Sequence, residues 1–260
     1  MNNLNNIKLV VEYDGRKYYG FQWQSDLPTI QAELEKAIWK LTGEKKRLIA
    51  ASRTDTGVHA RGQVVSFRTT SSLSLQTVVR ALNYYLPGDI AILSAYRVAD
   101  TFHVRRDAIS REYEYRILNR SVKSPLNGGF VHLVTGKLNI RNMNRVCKLL
   151  EGKHDFASFT SALDPMKSTI RTVYEAKCSK NCDLVTFRMV ANSFLPHQVR
   201  NTVGLLIRVG LGKVGFNEFK QTMEAKEAGA AGSAAPPQGL YLMKVNYPTD
   251  LELRYENICN

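Results

Sequence analysis

Four cysteines in 260 residues, Cys147, Cys178, Cys182 and Cys259, are too few and too scattered to staple a chain of this size. A disulfide scaffold is thereby excluded, and free thiols in a reducing compartment are expected. Long apolar runs are missing too, as is a concentrated basic amphipathic segment, which argues against a membrane protein. The N-terminus, MNNLNNIKLVVEYDG, lacks a basic region followed by an apolar stretch and a cleavage site, so nothing points to secretion and the cytoplasm is the default location. None of the five histidines begins an H-x-E, which removes the zinc nucleobase deaminases. Cys178 and Cys182 have no further ligands nearby, so no metal site is expected. Acidic residues are the minority: 23 Asp and Glu stand against 36 Lys and Arg, a formal charge of +13. Such a balance suits a polyanionic partner, nucleic acid first.

What is present, beginning with 44% hydrophobic residues, is enough for a buried core. The periodicities lay out one order of elements twice. First come strand IKLVVEY, helix TIQAELEKAIWKL, strands KRLIAAS and GQVVSFR, helix LQTVVRALNYYL and strand DIAILSAYRV. Ile30, Leu34, Ala37, Ile38 and Leu41 form the stripe of the first helix, with Thr29 as N-cap and Gly43 as stop. From about residue 107 the order returns as AISREYEYRIL, IRNMNRVCKLLEG, IRTVYEAKCS, DLVTFRMVANSF, HQVRNTVGLLIRVG, an extra helix FNEFKQTMEA, and LYLMKVNY. This predicts an α+β protein of two ferredoxin-like βαββαβ halves, residues 1–105 and 106–248, with a tail at 249–260. The halves are expected to join into one broad antiparallel sheet with a central active-site cleft. AKEAGAAGSAAPPQG, before the last strand, reads as a mobile loop.

In SRTDTGVH, residues 52–59, Asp55 stands among turn formers, and the segment suits a plain turn as well as a reactive carboxylate. Alternation in REYEYRI puts Tyr113, Tyr115 and Ile117 on one face of a strand, where a tyrosine either packs under the helices or meets a base. YDGRKYYGFQWQ, residues 13–24, gathers aromatics with Arg16 and Lys17, suited to stacking and phosphate contact or to a folded loop. Arg200 borders the stripe of Val199, Val203, Leu206 and Val209, so its side chain either reaches solvent or lies beside a carboxylate. GLGKVG at 210–215 satisfies G-x-G-x-x-G literally but closes a helix instead of opening one, so Gly210 and Gly212 are expected as helix-ending glycines.

SRTDTGVHA, EYEYRI, ANSFLPHQVRNTVG and APPQGLYL, in that order, resemble the tRNA pseudouridine synthase A family over nearly the whole chain. The resemblance implies isomerisation of uridine to pseudouridine at positions 38, 39 and 40 of the tRNA anticodon arm, without a cofactor or metal, by a homodimer. It places Asp55 as the nucleophile, Arg53 as its neighbouring arginine, Tyr113 as the active-site tyrosine and Arg200 as the active-site arginine. Ser52 stands where the family usually has glycine, and Gln198 where methionine is common. A non-catalytic pair of RRM-like modules shares the βαββαβ order, but GQVVSFRT lacks the aromatic pattern by which such a strand stacks bases. A hydrolase using Asp55 is chemically close and would release uracil.

Overall fold

The computed structural model describes residues 4–161, 166 and 168–248. These group into two compact units, residues 4–111 with 242–248, and residues 112–241. Cys259 and the segment expected as a tail at 249–260 lie outside the described residues. The fold is α+β, with five α-helices among the described residues and strands that pair mostly antiparallel.

In the first unit the chain runs through β1 (Asn5–Tyr13), α1 (Ile30–Thr42), β2 (Ile49–Ala50), β3 (His59–Thr69), α2 (Leu75–Tyr85) and β4 (Ile90–Val98). In β1 the apolar Ile7, Leu9, Val11 and Tyr13 alternate along one face and are buried, and Asn6 and Lys8 between them are buried too. Central β1 pairs antiparallel with both neighbours, Leu9 lying opposite Val65 of β3 and Ala95 of β4. Helix α1 buries Ile30, Leu34, Ala37 and Ile38; the Thr29 side chain accepts the Ala32 N–H at 3.3 Å, and Gly43 ends the helix at φ +73°. Leu41, expected on the same stripe, is only half-buried because the helix is ending there. The expected strand KRLIAAS shrinks to the two residues of β2. The last strand, β10 (Leu240–Asn246), lies beside β3, and from Leu242 onward it groups with this first unit. Gly62 allows that approach, since a Cβ there would stand 2.5 Å from the Met243 carbonyl oxygen.

The second unit contains β5 (Ser110–Asn119) from Glu112 on, β6 (His132–Val134), α3 (Ile140–Leu150), β7 (Gly152–Asp155), β8 (Ile170–Asn181), β9 (Leu184–Ala191), α4 (Gln198–Gly210) and α5 (Phe216–Ala225). Its strand order is β5-β9-β8-β7, with β6 parallel to β5. Neither β6 nor β7 is visible in the sequence pattern. The apolar stripe of α3, Met143, Val146, Cys147 and Leu150, is fully buried. Cys147 and Cys178 are buried free thiols with sulfurs 3.9 Å apart, and Cys182 is exposed and free. AKEAGAAGSAAPPQG packs on α4: Ala231 and Ala235 are buried, and a Cβ on Gly204 would meet the Ser233 carbonyl oxygen at 2.2 Å.

Candidate active site

Asp55 sits in the loop between β2 and β3, and the expected turn is there: the Val58 N–H donates to the Asp55 carbonyl at 3.1 Å, with Gly57 at φ +76°. The turn is clamped from outside. The Phe21 N–H donates to the Thr54 carbonyl at 3.0 Å and the Gly57 N–H to the Tyr18 carbonyl at 3.4 Å. The Tyr13 and Thr54 hydroxyls lie 2.8 Å apart, and the Gln63 amide donates to the Ser52 carbonyl at 2.8 Å. Gly20 is required twice over, by φ +86° and because a Cβ would meet the Thr54 carbonyl oxygen at 2.8 Å. Thr54 is buried, Asp55 half-buried and Arg53 exposed on this fixed backbone. The turn reading of Asp55 is what the backbone shows, and a turn of this kind does not prevent its carboxylate from reacting.

Asp14 secures the strand that leads into this clamp. Its carboxylate accepts the Arg16 backbone N–H at 3.1 Å and lies 3.3 Å from the His59 ring nitrogen. Partial burial raises its pKa, and the Arg16 hydrogen bonds with the His59 and Arg16 charges outweigh that, leaving it below the ordinary carboxylate value. Tyr18 is pushed the other way, first by burial and then by donating to Asp89 at 2.6 Å.

In the second unit, Tyr113, Tyr115 and Ile117 share the buried face of β5, as the alternation predicts. The opposite face carries Glu112, bonded to Arg188 at 2.8 Å, and Glu114, bonded to Arg116 at 2.7 Å. The two tyrosines have different surroundings. Tyr115 donates its hydroxyl to the Pro236 carbonyl at 2.7 Å, and its ring occupies the space a Cβ on Gly239 would need. Burial raises the Tyr115 pKa, against the opposing charge of Arg200. Tyr113 instead meets Phe194 edge-on, with ring centroids 5.0 Å apart.

Arg200, half-buried on the first turn of α4, is brought to the same region as Tyr115. Its Nε donates to the Ala235 carbonyl at 2.8 Å, while the Ala235 N–H donates to the Arg200 carbonyl at 2.9 Å. Gln198 is buried, and its side-chain oxygen accepts the Leu195 N–H at 2.8 Å, closing the turn into α4. His197, just before it, adopts φ +58°. Of the two glycines expected to end this helix, Gly212 has the left-handed conformation, whereas Gly210 is its last residue and is packed against Leu138 and Met143. Sequence reasoning missed the supporting groups Tyr13, Gly20, Gln63 and Ala235. The second glycine of YDGRKYYG was the visible signal for Gly20, and the others depend on contacts between distant segments.

Among the described residues, no cluster of three or more His, Cys, Asp or Glu is arranged to hold a metal ion, and no helix is long and apolar enough to cross a membrane. Comparison with known proteins shows the family. A family model of tRNA pseudouridine synthase matches residues 9–107 and 146–248. The tRNA pseudouridine synthase A of Thermoanaerobacter sp. (strain X514) is 43% identical over 244 residues, covering 94% of this chain and 100% of the relative. That of Roseiflexus sp. (strain RS-1) is 42% identical over 252 residues, covering 95% and 92%. That of Exiguobacterium sp. (strain ATCC BAA-1283 / AT1b) is 42% identical over 241 residues, covering 93% and 97%. With Asp55 on its clamped turn and the match running through both units, this chain belongs to the tRNA pseudouridine synthase family.

Proposed function

We propose that the protein converts uridine to pseudouridine in the anticodon arm of tRNA, with Asp55 as nucleophile. The observation that carries this reading is the Asp55 turn, which holds a half-buried carboxylate on a backbone fixed from both sides. The reaction breaks the N1–C1′ bond of uridine and forms a C5–C1′ bond. C5 loses a proton and N1 gains one, so the balance needs no oxidant, reductant or cofactor. Asp55 supplies its carboxylate as the nucleophile, on C1′ of the ribose or on the uracil ring, and Arg200 is the active-site arginine of the family pattern. The Tyr113 ring supports the detached base, and its hydroxyl, or a water it holds, removes the C5 proton. Exposed Arg53 meets the RNA backbone while the target nucleotide leaves its stack.

The strand order β4-β1-β3, with β2 on β3, supports a ferredoxin-like first half, and β5-β9-β8 supports the same design in the second. A homodimer and a cytoplasmic location complete the family expectation. The test is Asp55→Asn, assayed by nucleoside analysis of a tRNA transcript and by RNA binding. Pseudouridine is expected to vanish while affinity stays close to wild type, and turnover by the variant would remove Asp55 from the nucleophile role. Transcripts with single uridine-to-cytidine changes in the anticodon arm locate the modified position.

A further inference from the structure

The segment 18–31 clamps the Asp55 turn, yet two of its largest side chains take no part in the clamp. Tyr18 and Phe21 are buried, whereas Tyr19 is 50% exposed and Trp23 43% exposed. Flexibility does not explain this. The Tyr19 N–H donates to the Pro28 carbonyl at 2.9 Å, and the Gln24 amide donates to the Tyr19 carbonyl at 2.7 Å. The Ile30 and Gln31 N–H groups bond the Gly20 and Phe21 carbonyls, and the Trp23 N–H bonds the Gln31 side chain. The Arg47 guanidinium lies 4.4 Å over the Trp23 ring and so braces it. The residues on either side of Tyr19 touch the Asp55 turn: the Gly57 N–H donates to the Tyr18 carbonyl, and a Cβ on Gly20 would be 3.3 Å from the Asp55 carbonyl carbon.

A rigid loop that holds two aromatic rings in water, next to a carboxylate assigned to a flipped uridine, fits one ligand chemistry: unstacked nucleobases. Bases splayed from an RNA loop are recognised by stacking on such rings, and cationic side chains nearby hold the phosphates between them. Arg47, over the Trp23 ring with its side chain 61% exposed, and Lys17, two residues before Tyr19 with its side chain 80% exposed, supply that charge. We infer that Tyr19 stacks on a base adjoining the target uridine, with Trp23 as the outer ring of the platform. The inference rests on the proposed RNA chemistry of Asp55.

The experiment uses the full-length protein, a tRNA transcript, and transcripts carrying a single abasic nucleotide on either side of the modified uridine. Tyr19→Ala is expected to raise KM on the order of tenfold with kcat little changed, and Tyr19→Phe to stay near wild type. Tyr84→Ala, at a surface tyrosine of α2 that is 83% exposed, serves as control and should leave KM unchanged. With wild-type protein, one of the two abasic transcripts should show the same rise in KM, and combining it with Tyr19→Ala should add nothing further. Additive losses, or an unchanged KM in Tyr19→Ala, would overturn the inference while wild-type turnover leaves the reading of Asp55 intact. Absence of pseudouridine with wild-type protein would instead overturn that reading. The abasic arm needs no variant to fold.

Discussion

Tyr113 and Tyr115 stand on one face of β5, and the alternation of REYEYRI alone could not separate them. Their surroundings do. Tyr115 is a structural residue, with its hydroxyl given to Pro236 and its ring filling the space beside Gly239. Tyr115→Phe is therefore expected to lower stability by about 1–2 kcal/mol, through the carbonyl left without its donor, and to keep turnover. Tyr113→Phe should behave the opposite way, melting like wild type but forming almost no pseudouridine, if its hydroxyl or a water it holds takes the C5 proton. Near-wild-type turnover by Tyr113→Phe, with Tyr113→Leu inactive, would show that the ring suffices. The family resemblance was legible at this scale because the residues it proposes for the site, Asp55, Tyr113 and Arg200, each lie in a local motif. Their support was not, since Tyr13, Gly20 and Ala235 act through segments distant in sequence.

Helices were legible element by element, because an apolar stripe of period 3.6 is long enough to count and its ends carry caps such as Thr29 and Gly43. Short strands were not. β7 consists of Gly152, Lys153, His154 and Asp155, with no apolar alternation, and is a strand only because it pairs with Val173 through Ile170 of β8. The loop before β10 misled for a similar reason: its Ala, Gly and Pro composition suggests mobility, yet small residues are what permit close packing on α4. Gly204 makes that packing testable. Helix propensity says Gly204→Ala should stabilise α4 by about 1 kcal/mol. The Ser233 carbonyl oxygen, 2.2 Å from the new methyl, says otherwise. We expect a net loss of about 1–3 kcal/mol, read as a lower melting temperature, together with reduced turnover because the hydrogen bonds between Arg200 and Ala235 shift with the loop. A variant that melts above wild type would mean the loop yields at no cost.

At the scale of the whole molecule, the excess of 36 basic over 23 acidic residues was the earliest clue and the least local one. Much of that charge is already engaged within the protein, as in Arg16 with Asp14, Arg47 with Glu35 and Arg188 with Glu112, so composition alone overstates what a polyanion meets. In these pairs the arginines stay 40–61% exposed while their carboxylates lie mostly covered, so the guanidinium edges remain open to a phosphate. Each phosphate neutralised releases condensed counterions, giving about 0.7 to 0.9 in the slope of log K against log salt. With several basic side chains engaged, affinity for tRNA is expected to fall on the order of ten- to a hundredfold between about 50 and 200 mM salt, independently of Asp55. Asp55→Asn should therefore reproduce the wild-type slope, because the half-buried carboxylate proposed as nucleophile is one anionic group and neutralises no phosphate. A flat slope would place the net charge of +13 away from the RNA, and a slope changed in Asp55→Asn alone would assign that carboxylate to binding.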